Sequence, residues 1–383
     1  MKLRKTAVAV GAVMALAACS DESPVSARAD VTPVLSAGAR GIEGQYIVVV
    51  REGADARSVA AVAGASPRYV YTAALNGFAA TLNAGQLNAL QRNPDVASIE
   101  QDQVAQASAT QSSATWGIDR IDQRSRPLSG TYTYTTTASG VYAYIIDTGI
   151  YAAHSNFGGR ASNVYDAFGG NGNDCNGHGT HVAGTVGSAT YGVAKAVRLR
   201  GVRVLDCNGS GSWSGIIAGI DYVRLNRTNP AVANLSLGGG FSSSLNTAVT
   251  NLANSGVFVA VAAGNENQLA CNVSPASASA VTTVASSTSS DAKSSFSNYG
   301  SCVDVYAPGS SITSTWNNGG TNTISGTSMA SPHVAGVGAL YKATYGNASQ
   351  ATIDSWIKNN ATANVITGNP TGTPNRLLYK AAL

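Results

Sequence analysis

The sequence predicts a large α/β domain, with a mostly parallel sheet and helices on both faces, preceded by a small α+β domain. Three observations carry this. From Trp116 onward, short apolar runs alternate with helix-like segments, the pattern of a parallel sheet covered on both sides. Between Gln45 and Glu100, two strand–helix–strand units fit into a short span. Charged residues are only 11% and apolar ones 44%, which excludes charge-driven disorder and a long coiled coil.

Taken in order, Lys2, Arg4 and Lys5 precede an apolar stretch over residues 7–18. A charged start and an apolar core too short to span a bilayer make residues 1–18 an expected export signal. The stretch ends Leu16-Ala17-Ala18-Cys19, which resembles a bacterial lipobox and makes Cys19 the candidate lipidation site. Ordinary cleavage that discards Cys19 is the alternative. Residues 19–40 carry Ser, Ala, Pro and Arg without periodicity and are expected to form a flexible tether.

The β-branched run 46–50 opens the small domain as a strand, with further strands at 78–82 and 96–100 and helix-like segments at 54–63 and 86–91. A polar stretch over 103–115 is the expected linker and cleavage zone. In the large domain, strands are expected at 141–146, 202–205, 233–237, 257–261 and 281–285. Helices are expected at 178–187, 213–225, 245–254, 328–345 and 350–359.

Charge and cysteine content narrow the function classes. Nine of the 24 basic and nine of the 20 acidic residues lie in the first 108, so the +4 excess falls wholly beyond them. With no basic run, it makes no case for a nucleic-acid partner. The cysteines are Cys19, Cys175, Cys207, Cys271 and Cys302. Lipidation of Cys19 would account for the odd one. The other four can pair after export, and sequence alone leaves three connectivities open.

Chemistry concentrates in three segments. Asp147 ends an apolar run, where a carboxylate is costly unless paired. His178 lies in Asn176-Gly177-His178-Gly179-Thr180-His181, and Ser328 in Gly326-Thr327-Ser328-Met329-Ala330 at the start of a helix. His178 and His181 have a spacing that suits a metal pair, but no third ligand or HExxH pattern accompanies them, so zinc is not expected. Singly, each histidine reads as a packed, hydrogen-bonded group, and one serine in a Ser-rich chain carries no signal. Together, an acid, a base and a hydroxyl can activate a serine nucleophile.

In chain order the three segments are Asp147-Thr148-Gly149, then the His178 segment, then the Ser328 segment. They resemble the three signatures of the subtilisin-like serine peptidases, which share this order. Within that family the likeness is to the proteinase K group and its aqualysin-like members, and it extends over residues 109–383. It implies that Ser328 attacks the scissile carbonyl, His178 moves the proton, Asp147 orients the imidazole and Asn265 donates to the oxyanion. It implies that Gly209, Ser210 and Gly211, with Ser236, Leu237 and Gly238, sandwich an extended peptide, and that Ala262, Ala263 and Gly264 wall the primary pocket. Small, uncharged walls predict apolar or aromatic P1 residues. Trp213 is expected either to close the S4 site or to pack in the core.

The same resemblance pairs Cys175 with Cys207 and Cys271 with Cys302. It assigns structural calcium to Asp119, Asp122, Gln123, Ser129 and Thr131, hard oxygen donors that suit that ion. A second calcium is implied on Asp304 with main-chain oxygens of Ser279 and Val281, where Ser279 replaces a proline of proteinase K. Residues 41–108 resemble the propeptides of these enzymes, with cleavage expected near Ser108 to leave a mature chain of 109–383. The implied partners are polypeptide substrates and the chain's own propeptide as an intramolecular inhibitor. A monomeric enzyme, extracellular or periplasmic after export, is expected. A non-catalytic surface lipoprotein and an esterase with the same triad are the competing readings.

Overall fold

The computed structural model describes residues 31–37, 41–104 and 108–383. The export signal, Cys19 and most of the tether lie outside the described residues. The chain divides into two compact units, Met1–Ala105 and Gln106–Leu383.

The first unit holds β1 (Val34–Leu35), β2 (Gly41–Val50), α1 (Ala56–Val62), β3 (Pro67–Tyr71), β4 (Gly77–Thr81), α2 (Ala84–Gln91) and β5 (Val96–Gln103). Its five strands run in the order β1-β5-β2-β4-β3. β2 pairs antiparallel with both β4 and β5, and Val48, Phe78, Leu90 and Ile99 fill its core. Asp55 caps α1, and Asn83 with Gln86 forms a capping box on α2, so local polar residues set both helix starts. Two sequence expectations need correction. Val34 and Leu35, inside the expected tether, form β1 and pair parallel with Ile99 and Glu100. Strand β3 was hidden because its pattern is broken by Pro67 and Arg68.

The second unit begins with β6 (Ala109–Ser112), α3 (Trp116–Asp122) and β7 (Thr131–Tyr134). Next come β8 (Tyr142–Asp147), β9 (Ala161–Asp166), α4 (His178–Gly187), β10 (Arg198–Arg203), α5 (Trp213–Asn226) and β11 (Ala231–Leu235). There follow β12 (Gly239–Gly240), α6 (Ser243–Asn254), β13 (Phe258–Ala262), β14 (Val273–Ser274), β15 (Thr282–Ser287), β16 (Val305–Pro308), β17 (Ile312–Thr315) and β18 (Thr321–Ile324). The last elements are α7 (Thr327–Tyr345), α8 (Gln350–Asn360), β19 (Thr362–Ala363) and β20 (Arg376–Leu377).

Nine strands form the central sheet, in the order β19-β20-β16-β15-β13-β11-β8-β10-β9. All its pairings are parallel except β19 with β20. Alternation along β8 builds the three layers: Ala143 and Ile145 enter one core with α4 and α7, while Tyr144 and Ile146 enter the other with α5 and α6. The expected linker contains β6, which pairs antiparallel with β7. A polar strand of Ala, Thr, Gln and Ser has no apolar alternation, so only its partner reveals it. Strand β10 starts four residues earlier than expected because Arg198 and Arg200 interrupt the apolar run that marks its end. Disulfides join Cys175 to Cys207 and Cys271 to Cys302.

Candidate active site

Asp147 ends β8, fully buried, at the carboxyl edge of the sheet. Its Oδ1 accepts from His178 Nδ1 and from the Thr148 N–H, each at 2.7 Å. Its Oδ2 is buried without a hydrogen-bond partner. The pairing with His178 thus rests on one oxygen, which locks the imidazole in the tautomer that leaves Nε2 free to accept a proton.

Two glycines let α4 begin so close to that carboxylate. Gly177, the cap before His178, has φ +114°, and a Cβ there would lie 2.3 Å from the Trp316 ring. A Cβ on Gly179 would lie 2.2 Å from the Gly149 carbonyl. Burial works to lower the affinity of His178 for its proton, but the charge and hydrogen bond of Asp147 and the charge of Asp174 prevail and raise it above the ordinary value. The neighbouring His181 does not share this role. Its Nε2 donates to the Ile312 carbonyl at 2.9 Å, and burial pushes its pKa down to about 4. The pair therefore does not converge on a common point. His154 and His333 are likewise engaged with main chain.

Ser328 is the second residue of α7, and a proline in that helix explains its setting. Pro332 has no N–H to bond back to the Ser328 carbonyl. Ser236 supplies the missing donor: its hydroxyl reaches that carbonyl at 2.7 Å, and the Ser328 hydroxyl donates in return to the Ser236 carbonyl at 3.1 Å. Buried Asn234 donates to Ser236 Oγ at 2.8 Å and accepts from Ser331 Oγ at 2.7 Å. Sequence reading passed over Asn234. A polar residue within an apolar strand was the available signal.

Asn265 is oriented by the same helix start. Its Oδ1 accepts from the N–H and the hydroxyl of Thr327, at 2.8 and 2.9 Å. That leaves Nδ2 as the free end of the amide. Nδ2 and the Ser328 N–H both border Gly326, lying 3.7 and 3.5 Å from where a Cβ there would sit. Two donors beside the serine, one of them at a helix N-terminus, form a ready anion site.

His178 and Ser328 line one open cleft of about 750 Å³, together with Gly209, Ser210, Gly211, Ser236, Leu237 and Gly238. Trp213 lines this cleft and also packs against the core that holds α5 and α6. A smaller cavity of about 70 Å³ opens between Gly238, Ala262, Gly264 and Asn265. Two expectations about its walls are corrected. The Ala263 side chain, one residue past the end of β13, is fully buried in a core with Ala270 and Tyr306 and does not line this cavity. Glu266 lines the cavity, so the walls are not uncharged; its carboxylate accepts from the Asn265 N–H and from Asn298 Nδ2.

The expected calcium residues behave in two ways. Around Ser129, hard oxygens gather: its hydroxyl bonds Asp119 Oδ1 at 3.1 Å and Thr131 Oγ1 at 2.8 Å, and its N–H donates to Gln123 Oε1 at 3.0 Å. Asp122 stands on the same helix, bonded to the Thr133 N–H and paired with Lys380. The oxygens of Asp119, Gln123, Ser129 and Thr131 suit calcium, while Asp122 would have to exchange the Lys380 ammonium, 2.9 Å from its Oδ1, for the ion. Asp304 does not suit calcium: Lys358 Nζ sits 2.6 Å from its Oδ1 and 2.7 Å from Asp354, and its Oδ2 takes the Thr283 N–H. An ammonium between two carboxylates occupies the place that the resemblance gives to a cation.

The Subtilase family model matches residues 138–377, and the Peptidase inhibitor I9 model matches residues 45–108. The extracellular serine proteinase of Thermus sp. (strain Rt41A) is 49% identical over 96% of this chain and 97% of its own. Proteinase R of Parengyodontium album is 45% identical over 93% of both chains. The crystal structure of a cold-adapted subtilisin-like serine proteinase superposes with a TM-score of 0.70 at 52% identity, over 71% of this chain and all of that one.

Proposed function

The chain belongs to the subtilase family of serine proteinases, and from that premise we propose that it is a broad-specificity endopeptidase working through Asp147, His178, Ser328 and Asn265. The observation that carries this is the 2.7 Å contact of His178 with buried Asp147 in the cleft that Ser328 also lines. Ser328 Oγ leaves its bond to the Ser236 carbonyl, gives its proton to His178 Nε2 and attacks the scissile carbonyl. Asp147 holds the imidazole and stabilises its cation. The Ser328 N–H and Asn265 Nδ2 receive the developing oxyanion. The proton then passes to the leaving amine, and water cleaves the acyl-enzyme by the same route reversed.

The substrate lies extended between the Gly209–Gly211 and Ser236–Gly238 segments, bonding through its backbone. Gly238, Ala262 and Gly264 around the smaller cavity favour apolar or aromatic P1 residues, with Glu266 able to accept a basic one as well.

The I9 domain implies an intramolecular inhibitor. Residues 1–18 direct export, the residues from 19 up to β1 tether, and the small domain through residue 108 guides and inhibits until cleavage near Ser108 releases 109–383 as a monomer. A lipid on Cys19 would then hold the propeptide and not the enzyme. Calcium, bound through Asp119, Asp122, Gln123, Ser129 and Thr131, stiffens the start of the mature chain and takes no part in the reaction.

The test follows mass and casein hydrolysis in the full chain and in its Ser328→Ala variant. Wild type alone should shorten to about residues 109–383 and digest casein. Processing of both with digestion by neither would overturn the assignment.

A further inference from the structure

Asp174 precedes His178 by four residues, is 3% exposed and is not one of the four groups proposed above to carry the reaction. Its Oδ1 accepts from Thr148 Oγ1 and from the N–H groups of Asn176 and Gly177, all at 2.9 Å. Its Oδ2 accepts from the N–H and hydroxyl of Thr180, at 2.9 and 2.5 Å. All five partners donate, and only a pure acceptor can use them all. Those partners also have a common purpose in space. Asn176, Gly177 and Thr180 straddle His178 and fix the first turn of α4. Thr148 follows Asp147, donates its N–H to the Asp147 carboxylate and accepts the Gly179 N–H at 2.8 Å. A closed path therefore runs from Asp174 through Thr148 to Asp147 and His178, and back along the start of α4.

We propose that Asp174 is a positioning residue for proton transfer: a second buried carboxylate that clamps the His178 end of α4 to the strand end bearing Asp147 and adds its charge to the field at the imidazole. This rests on His178 being the base. The titratable groups acting on His178 are Asp147 from β8, Asp174 from the segment before α4, and His181 from α4 itself. With a pKa of about 4, His181 is neutral in the range where His178 titrates, so the two carboxylates set the field. Losing the Asp174 charge should therefore lower the pH at which His178 gains its proton. Losing the clamp should misplace the imidazole, and a displacement of about 1 Å costs on the order of a hundredfold in rate.

The experiment compares Asp174→Asn, Thr148→Val and Thr148→Ser with wild type in the full chain, using a short peptide substrate across pH. Asp174→Asn should lower kcat by about one to two orders of magnitude with little change in KM. It should also move the acid limb of kcat/KM to lower pH. Thr148→Val breaks the bridge but keeps the charge, so kcat should fall with the limb in place, and Thr148→Ser should restore it. If Asp174→Asn folds and keeps both kcat and limb, the proposal is wrong. If that variant does not fold, Thr148→Val decides, and an unchanged kcat there overturns the clamp. Ser328→Ala separates this from the reading beneath it: should that variant still digest peptides, the triad fails and not Asp174 alone.

Discussion

The two disulfides close loops of nearly equal length but stand in different places, and that separates their effects on stability from their effects on activity. Replacing Cys175 and Cys207 by alanine frees a 32-residue span, and replacing Cys271 and Cys302 frees a 31-residue span. Chain entropy then assigns each bond roughly 3.7 kcal/mol, with a difference between them below about 0.1 kcal/mol. Activity should not follow suit. Cys175 lies between Asp174 and Asn176, and Asn176 Nδ2 donates to the Cys207 carbonyl at 3.0 Å. Cys207 in turn leads into Asn208 and Gly209, which line the cleft beside His178. The first bond thus ties the histidine loop to the substrate wall, while the second joins Cys271 to Cys302 outside the cleft lining. We expect both double variants to lose equal stability in urea unfolding of enzyme acylated by a serine-directed inhibitor. The Cys175/Cys207 variant alone should lose about tenfold in kcat/KM for a peptide substrate. Stability losses that differ by more than about 1 kcal/mol would refute the entropic reasoning. A larger activity loss in the Cys271/Cys302 variant would refute the placement argument.

Other perturbations have equally definite signs. His181 and His333 titrate near 6.5 when unfolded but near 4 in the folded protein, because burial disfavours their charged form. Their contribution is complete above pH 6.5 and drains as the pH falls toward 4, by about 3 kcal/mol each; unfolding midpoints that stay flat over that window would contradict it. Asn265→Ala should lower kcat by about 10²–10³ with KM little changed, a magnitude measured in subtilisin itself and not worked from this structure. A chelator should lower the unfolding temperature of wild type but not of Asp119→Asn. Asp304→Asn should leave the calcium content unchanged, since Lys358 already holds that carboxylate; a content lower by one ion per chain would show calcium there instead.

Sequence by itself determined the layers and singled out the groups proposed to react. The strands β8, β11, β13 and β15 are buried on both faces, so most of their positions are apolar or small and the pattern survives without a partner. Asp147, His178 and Ser328 stand in segments whose small residues are demanded by close backbone approach, as Gly177 and Gly179 show. Such demands are local, so they are written locally.

What tertiary structure decided depends on residues far apart in the chain. The edge elements β1, β6 and β9 owe their existence to a neighbouring strand, not to an apolar pattern of their own. Ser236 completes the Ser328 helix from 92 residues away, and Thr148 meets Asp174 across 26. Lys358 reaches Asp304, in the loop before β16, from α8, and Glu266 joins a pocket whose matched walls are all uncharged. A hydrogen bond or ion pair is specified by distance in space, and no periodicity in the sequence encodes that distance.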